Sequence, residues 1–211
     1  MNIKIRFSLV LFMIMTGILF GQNFKYGVTG NFHKGSIVNV HDISKGVYGG
    51  SLGGFAQWAL IENDVFNSAY LYLQPEIEFN TQGEVAKANN EIQRYQNNYV
   101  SMAVYFRYFF HQGNMKRDMF LFAGPRIEYL VSNSKSTSLA YEAGYYKYNL
   151  DDKINKFGYG VSFGVGVAIT RQWEAFMRYD RGFSKIYPNN PRNTYNRLLG
   201  VGINYYITNN W

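Results

Sequence analysis

Two carboxylates one residue apart are the side chains in this sequence best suited to acid–base chemistry. Glu76 and Glu78 fall on the same side of a predicted strand, and paired carboxylates of this kind can act as general acid and general base. Hydrolysis also needs a nucleophile, or a water activated by a neighbouring base. The sequence shows no such constellation, so we predict no catalytic residue and rank a barrel hydrolase as the least favoured function.

The residue types that bind metals or form thiolates give no site. His33, His41 and His111 lie in predicted connections, with His111 on the opposite side of the membrane from the other two, so we do not expect the three to share a metal ion. The chain contains no cysteine, which excludes a disulfide framework, a thiol nucleophile and thiolate zinc sites. We therefore predict no metal site and no cofactor.

The elements that position the charged residues are strands with two unlike faces. The clearest is 157–170, where bulky apolar residues alternate with glycine, serine, alanine and threonine. Glycine has a low β-propensity and no charge, so it suits the solvent face of a soluble sheet poorly. We interpret the bulky face as lipid-facing and the small face as lining a narrow barrel.

Three further predicted strands, within 70–79, 100–108 and 119–129, keep every charge on one face. A lipid-facing lysine or arginine at mid-depth would cost roughly 2–4 kcal/mol, which explains the segregation. We predict that the charged side chains point into the barrel and meet across it as a structural polar network. Its predicted members are Glu76, Glu78, Arg107, Arg126, Glu128, Arg178 and Asp180, with Glu174 on the same face and Lys25 near the mouth.

The contents of the predicted interior can be interpreted in two ways. Eight strands leave room only for side chains or for one small ligand. Because unpaired charges in a confined space are costly, we favour an interior filled by ion pairs. The glycine-rich face leaves open a slim cavity, and with it a narrow solute pore or a barrel that binds a small ligand or lipid.

The order of strands and connections predicts the fold class. We identify eight strand-like segments, and the connections after the odd-numbered strands are long while those after the even-numbered strands are short. This alternation predicts an all-β fold, an eight-stranded antiparallel up-and-down transmembrane β-barrel, with the long connections outside the cell. The predicted strands are 23–33, 47–61, 68–80, 96–110, 118–131, 156–170, 173–184 and 196–208; the long connections are 33–46, 81–95, 132–155 and 185–195.

The first 21 residues have the features of a cleaved signal peptide. Lys4 and Arg6 precede an apolar run at 7–20, which Gly21 and Gln22 follow as a candidate cleavage site. The run is short for a membrane-spanning helix. We therefore expect a signal peptide at 1–21 and one barrel domain at 22–211, exported to the outer membrane. The scattered basic residues form no dense stripe, so we predict no nucleic-acid binding.

Tryptophan and tyrosine residues are predicted to mark the two membrane–water boundaries. Trp58 and Trp173 fall at the inner ends of their strands, and Tyr95 and Tyr99 fall near the outer rim. Trp211 ends the last predicted lipid-facing row, where barrel-assembly machinery could recognise it during insertion.

Four short motifs give the chain a family resemblance. They are Tyr-Leu-Gln-Pro-Glu-Ile-Glu-Phe with the following Thr-Gln-Gly (72–83), Phe-Leu-Phe-Ala-Gly-Pro (120–125), Arg-Tyr-Asp-Arg-Gly-Phe (178–183) and Leu-Gly-Val-Gly-Ile-Asn-Tyr-Tyr-Ile (199–207). Together they resemble the PorT-like outer-membrane β-barrel family common in Bacteroidetes. The resemblance implies an eight-stranded barrel in the outer membrane. The role of PorT in secretion and gliding is not transferred to this chain.

The sequence therefore favours a structural or partner-binding barrel over an enzyme. The expected partners are outer-membrane lipid and lipopolysaccharide, and a protein or glycan at the long outer connections. The connection at 132–155 carries Tyr141, Tyr145, Tyr146 and Tyr148, a composition suited to contacting a partner or sugar head groups.

Overall fold

The computed structural model describes residues 24–39, 44–63, 68–88, 91–110, 118–137 and 153–208. The predicted signal peptide, the tyrosines at 141–148 and Trp211 lie outside these residues. Among the described residues, no helix is both long and apolar enough to cross a membrane.

Eight antiparallel strands form a closed barrel, which confirms the predicted fold class. Each strand pairs with the next along the chain, and β1 closes the barrel by pairing with β8. The strands are β1 (Phe24–Val38), β2 (Ser44–Asn63), β3 (Ser68–Ala88), β4 (Glu91–Phe110), β5 (Met119–Thr137), β6 (Phe157–Ala168), β7 (Trp173–Gly182) and β8 (Tyr195–Tyr206). We call the end with the connections 64–67, 111–117 and 169–172 the turn end, and the opposite end the loop end.

Side chains alternate between the inside and the outside of the barrel along the strands. In β4, Ser101 and Arg107 are each 1% exposed, whereas Met102 and Phe106 between them are 54% and 52% exposed. Closure of the sheet makes the inside face buried, and a period of two residues gives the outside face to apolar side chains. The outside of the barrel is therefore a belt of valine, leucine, isoleucine, methionine and aromatic residues.

Several strands continue beyond their predicted ends at the loop end. The predicted connection 81–95 is instead a paired hairpin, in which β3 and β4 stay in register from Thr81–Asn98 to Ala88–Glu91. β1 likewise continues to Val38 and β5 to Thr137. The predictions were wrong here because asparagine, glutamine and serine are typical of loops but also occur in paired strands. Backbone pairing does not require apolar side chains once the ladder has left the lipid.

The connection between β7 and β8 folds back over the interior at the loop end. Ile186 and Tyr187 are buried and pack against Ile37 of β1 and Tyr95 of β4. The Ile186 N–H donates to Thr194 O at 2.8 Å, and the Tyr187 N–H donates to Thr194 Oγ1 at 3.0 Å. This segment, predicted as a long outer connection, covers the mouth of the barrel.

Candidate functional site

Arg178 on β7 joins two carboxylates of β3 at the centre of the interior. Its Nη1 donates to Glu76 Oε1 at 2.7 Å, and its Nη2 donates to both oxygens of Glu78 at 2.8 and 2.9 Å. The Tyr105 hydroxyl accepts a further bond from Nη1 at 3.2 Å. The two glutamates that were considered as an acid–base pair are therefore held as partners of one guanidinium.

Arg126 on β5 forms a second ion-pair centre towards the loop end. It pairs with Asp180 of β7, and its Nη2 donates to the Ser101 hydroxyl at 2.9 Å. Glu78 and Glu128 lie 3.5 and 3.8 Å from the same Nη2. Glu78 thus lies between Arg126 and Arg178, which links the two centres into one network.

Arg107 on β4 forms the third centre, towards the turn end. It donates to Glu174 Oε2 at 2.7 Å, to Gln74 Oε1 at 2.5 Å and to the Tyr206 hydroxyl at 2.9 Å. That hydroxyl in turn donates to Glu174 Oε1 at 2.9 Å. Arg107 and Glu174 are each 1% exposed. Each partner satisfies the hydrogen-bonding capacity that burial would otherwise leave unmet.

Amide side chains continue the network towards the loop end. Gln82 Nε2 donates to Glu128 Oε2 at 3.1 Å, and Asn196 Nδ2 donates to Glu128 Oε1 at 2.6 Å. His33 lies within β1 and not in a connection, and its Nε2 lies 2.8 Å from Thr81 O. Glu84 is also buried, and the sequence pattern gives no sign of it because the pattern predicts a connection at 81–95.

An aromatic layer fills the turn end beneath Arg107. The Arg107 guanidinium lies 4.0 Å from the ring centroid of Phe120 and 5.2 Å from that of Phe109, both cation–π distances. Sequence parity had put Phe120 and Phe122 inside, but nothing in the pattern showed that they form a layer. Its buried members are Ala69, Tyr72, Ala103, Tyr105, Phe109, Phe120, Phe122 and Phe176.

The small face of β6 makes room for the aromatic side chains. A Cβ added to Gly166 would overlap the Phe120 ring, and one added to Gly164 would overlap the Phe122 ring. Gly202 on β8 accommodates Phe176 in the same way. At these three positions the absence of a side chain makes room for an aromatic ring, so the space there is filled and is not a slim cavity.

The space that remains among the network residues is small. One cavity beside Arg126 and Asp180 has a volume of about 10 Å³, and another beside Arg107 and Arg178 also has about 10 Å³. A single water molecule needs roughly 10–15 Å³ by this measure. In the described part of the chain, no group of three or more histidine or acidic side chains is arranged to hold a metal ion.

The predicted boundary aromatics occupy two different environments. Trp58 and Trp173 point outwards at the turn end, where Trp58 packs on Phe24 at 5.1 Å and Trp173 packs on Tyr205 at 4.6 Å between ring centroids. Tyr95 and Tyr99 point inwards and are 4% and 2% exposed. Their assignment to an outer girdle was therefore wrong. The signal was present, because both share the odd-numbered parity of Ser101 and Arg107, which the sequence analysis had placed inside.

The sequence of this closed, charge-filled barrel matches a known protein family. Residues 20–187 match the family described as the outer membrane protein beta-barrel domain. The chain belongs to this family. It is thus an outer-membrane β-barrel protein, and the match reaches from before the first described strand into the segment that covers the barrel mouth. No curated protein matches the chain.

Two solved structures are similar to this chain. Neisserial surface protein A (NspA) is 17% identical, with a TM-score of 0.44, over 86% of this chain and 96% of that one. Ail, the attachment invasion locus protein of Yersinia pestis, solved in complex with the heparin analogue sucrose octasulfate, is 10% identical, with a TM-score of 0.39. That alignment covers 87% of this chain and 97% of Ail.

Proposed function

We propose that this outer-membrane barrel is a closed structural or binding protein, which acts through contacts made by its outer surface and its loop end. The observation that carries the proposal is the filled interior. Three arginines occupy successive layers between the aromatic layer and the buried Ile186 and Tyr187. The cavities beside them are about 10 Å³ each, too small for a solute larger than water.

A narrow pore is the alternative that this packing disfavours. A conducting path would have to break buried ion pairs, and an uncompensated buried charge is costly. Catalysis is disfavoured for a related reason, because Glu76 and Glu78 are both held in ion pairs with the Arg178 guanidinium. We therefore propose that the protein is not an enzyme.

The outer surface is the part left available for binding. Lipid and lipopolysaccharide surround the belt, and barrel-assembly machinery is the partner that we propose during insertion. We also propose that a protein or a glycan binds at the loop end, where the strands extend beyond the apolar belt. We also propose a PorT-like affiliation, on the motifs at 72–83, 120–125, 178–183 and 199–207, together with export by a signal peptide at 1–21.

Planar-bilayer recording tests the closed interior. Purified mature protein, shown to be folded by heat-modifiable gel migration, is added to a bilayer in 1 M salt. A wide porin added afterwards to the same bilayer serves as the positive control. We expect no steady current steps before the porin is added. Reproducible unitary steps from the folded protein alone would overturn the proposal in favour of a pore.

A further inference from the structure

Acidic and basic side chains are separated between the inside and the outside of the barrel. Where the structure defines their exposure, all aspartates and glutamates are buried in the interior except Asp118, which is half-buried at the turn end. Exposed basic side chains lie on the outside, among them Lys34, Arg181 and Arg197. A molecule that approaches the barrel wall therefore meets a more basic surface than the overall charge of +7 suggests.

Two of these arginines face each other at the end of an outward-facing ladder. From the turn end, the outward pairs of β7 and β8 are Trp173–Tyr205, Ala175–Ile203, Met177–Val201, Tyr179–Leu199 and Arg181–Arg197. Eight residues at ~3.3 Å each and a tilt of ~40° separate the first and last pairs by about 20 Å along the membrane normal. The apolar band of such barrels is about 25 Å tall. With Trp173 and Tyr205 at the inner edge of the band, the arginine pair lies about 5 Å within the outer edge, close enough for the long side chains to extend to head-group depth.

Like charges directly opposite each other destabilise a strand pair. Neither Arg181 nor Arg197 has an acidic partner among the described residues. Lys34 of β1 adds a third positive charge, because it pairs with Leu199, two residues from Arg197. An anion that lies between these charges would offset their mutual repulsion.

Aromatic rings hold two of the three cations at this depth. The Arg181 guanidinium lies 5.4 Å from the ring centroid of Tyr195, and Lys34 Nζ lies 5.8 Å from that of Tyr48. Tyr48 in turn stacks on Phe32 at 5.5 Å. Tyrosine and basic residues together at the edge of an apolar belt are typical of the head-group region.

We propose that Arg181, Arg197 and Lys34 bind the phosphate groups of an outer-leaflet glycolipid. Guanidinium groups present paired donors that match phosphate oxygens, and the lysine adds a point charge. The acyl chains of the same lipid would lie on Leu199, Val201 and Phe32, which are 53%, 59% and 58% exposed directly beside the cluster. The inference deepens the proposed function, on which it rests for the lipid partner and for the orientation of the loop end.

The test compares binding of two lipids to the folded mature protein. Phosphorylated lipid A and enzymatically dephosphorylated lipid A are titrated against the protein in detergent, and bound lipid is counted by native mass spectrometry. The variants are Arg181→Gln with Arg197→Gln, and the conservative Arg181→Lys with Arg197→Lys. The matched control is Arg171→Gln, which removes an exposed arginine at the turn end. Heat-modifiable migration shows that each variant is folded.

We expect the double glutamine variant to bind phosphorylated lipid A at least about tenfold more weakly, since two charge-assisted hydrogen-bonding groups are lost. The lysine variant should recover most of the affinity, Arg171→Gln should keep it, and dephosphorylated lipid A should not distinguish the proteins. Equal binding by the glutamine variant, or an equal loss in Arg171→Gln, would overturn the proposal.

Titration with soluble heparin distinguishes a lipid head group from a soluble polyanion as the anion that binds the arginines. The glycolipid is supported when the part of the affinity that depends on Arg181 and Arg197 is smaller for heparin than for lipid A. A larger arginine-dependent affinity for heparin would overturn the glycolipid proposal in favour of a soluble polyanion. These results are independent of the bilayer recording. A barrel that fails to bind lipid A yet stays electrically silent would refute this inference alone, and a conducting barrel would refute the proposed function alone.

Discussion

Arg178 is the residue at which the charges of the interior meet. It binds Glu76 and Glu78 directly, and Glu78 links it to Arg126. A buried ion pair adds little net stability compared with an apolar substitute, but removal of one partner leaves the others as uncompensated buried charges. The network therefore makes each arginine hard to replace alone and easier to replace together with its carboxylates.

Replacement of Arg178 by methionine tests this dependence. We expect Arg178→Met to lower the free energy of unfolding by about 3–5 kcal/mol, because two carboxylates lose their shared cation. Urea titration in lipid vesicles, followed by tryptophan fluorescence, measures the change. The same substitution at the exposed Arg171 should cost less than about 1 kcal/mol. Addition of Glu76→Gln and Glu78→Gln to Arg178→Met should recover part of the lost free energy of unfolding. Equal stability of Arg178→Met and the unmodified protein would refute the stabilising role of the network.

Sequence parity predicted which residues face inwards but not which of them meet. Glu76, Glu78, Arg107, Arg126, Glu128, Arg178 and Asp180 all lie inside, as their shared face predicted. Tyr206, which bridges Arg107 and Glu174, was not identified, because the partner of an inward side chain depends on strand register and barrel tilt. Tyr95 and Tyr99 face inwards as their parity indicates, although their position near the rim is typical of an outer girdle.

The glycine-rich face of β6 and the aromatic face of β5 are complementary elements. Register places Phe120 beside Gly166 and Phe122 beside Gly164, and the rings occupy the space that a side chain would need. This explains why a strand of low β-propensity is retained inside a tight barrel. Its small residues are required by the neighbouring strand.

A valine at Gly166 should disrupt this fit. We expect Gly166→Val to lower the free energy of unfolding by about 1–3 kcal/mol, because overpacking forces Phe120 from its rotamer. Gly30→Val is the matched control, since a Cβ there points outwards and meets its nearest atom, Ser51 O, only at 3.9 Å. Urea unfolding in vesicles gives both values. Equal stability of Gly166→Val and Gly30→Val would show that the proposed complementarity is wrong. Partial recovery of stability when Phe120→Ala is added to Gly166→Val would support the complementarity.

The number and order of strands were predictable, but the ends of the strands were not. Apolar alternation shows where a strand crosses lipid, and that signal stops at the membrane edge. Beyond it, the hairpin of β3 and β4 continues on polar residues such as Asn80, Gln82 and Asn97, which also occur in loops. The cover formed by Ile186 and Tyr187 could not be predicted either, because it depends on contacts with Ile37 and Tyr95, which are distant in sequence.

At the scale of the whole molecule, the barrel reverses the usual arrangement of a water-soluble protein, in which charged side chains lie outside and apolar side chains lie inside. Its arginine–carboxylate network is enclosed, and its apolar side chains are exposed as a belt that only lipid or detergent can cover. The positive charge that remains outside lies around the rims, where Arg181 and Arg197 reach head-group depth. Stability, closure of the interior and the proposed lipid recognition all depend on this division between an inward polar face and an outward apolar face.

Labelling from within the bilayer tests that assignment most directly. A lipid-soluble, carbene-generating probe is photolysed in vesicles that contain the unmodified folded protein, and fragmentation mass spectrometry locates the label along β4. We predict label on Val100, Met102, Val104, Phe106 and Tyr108, and none on Ser101, Ala103, Tyr105 and Arg107, with the alternation lost after unfolding in urea. Label on the odd-numbered set, or equal label on both sets in the folded protein, would contradict the account.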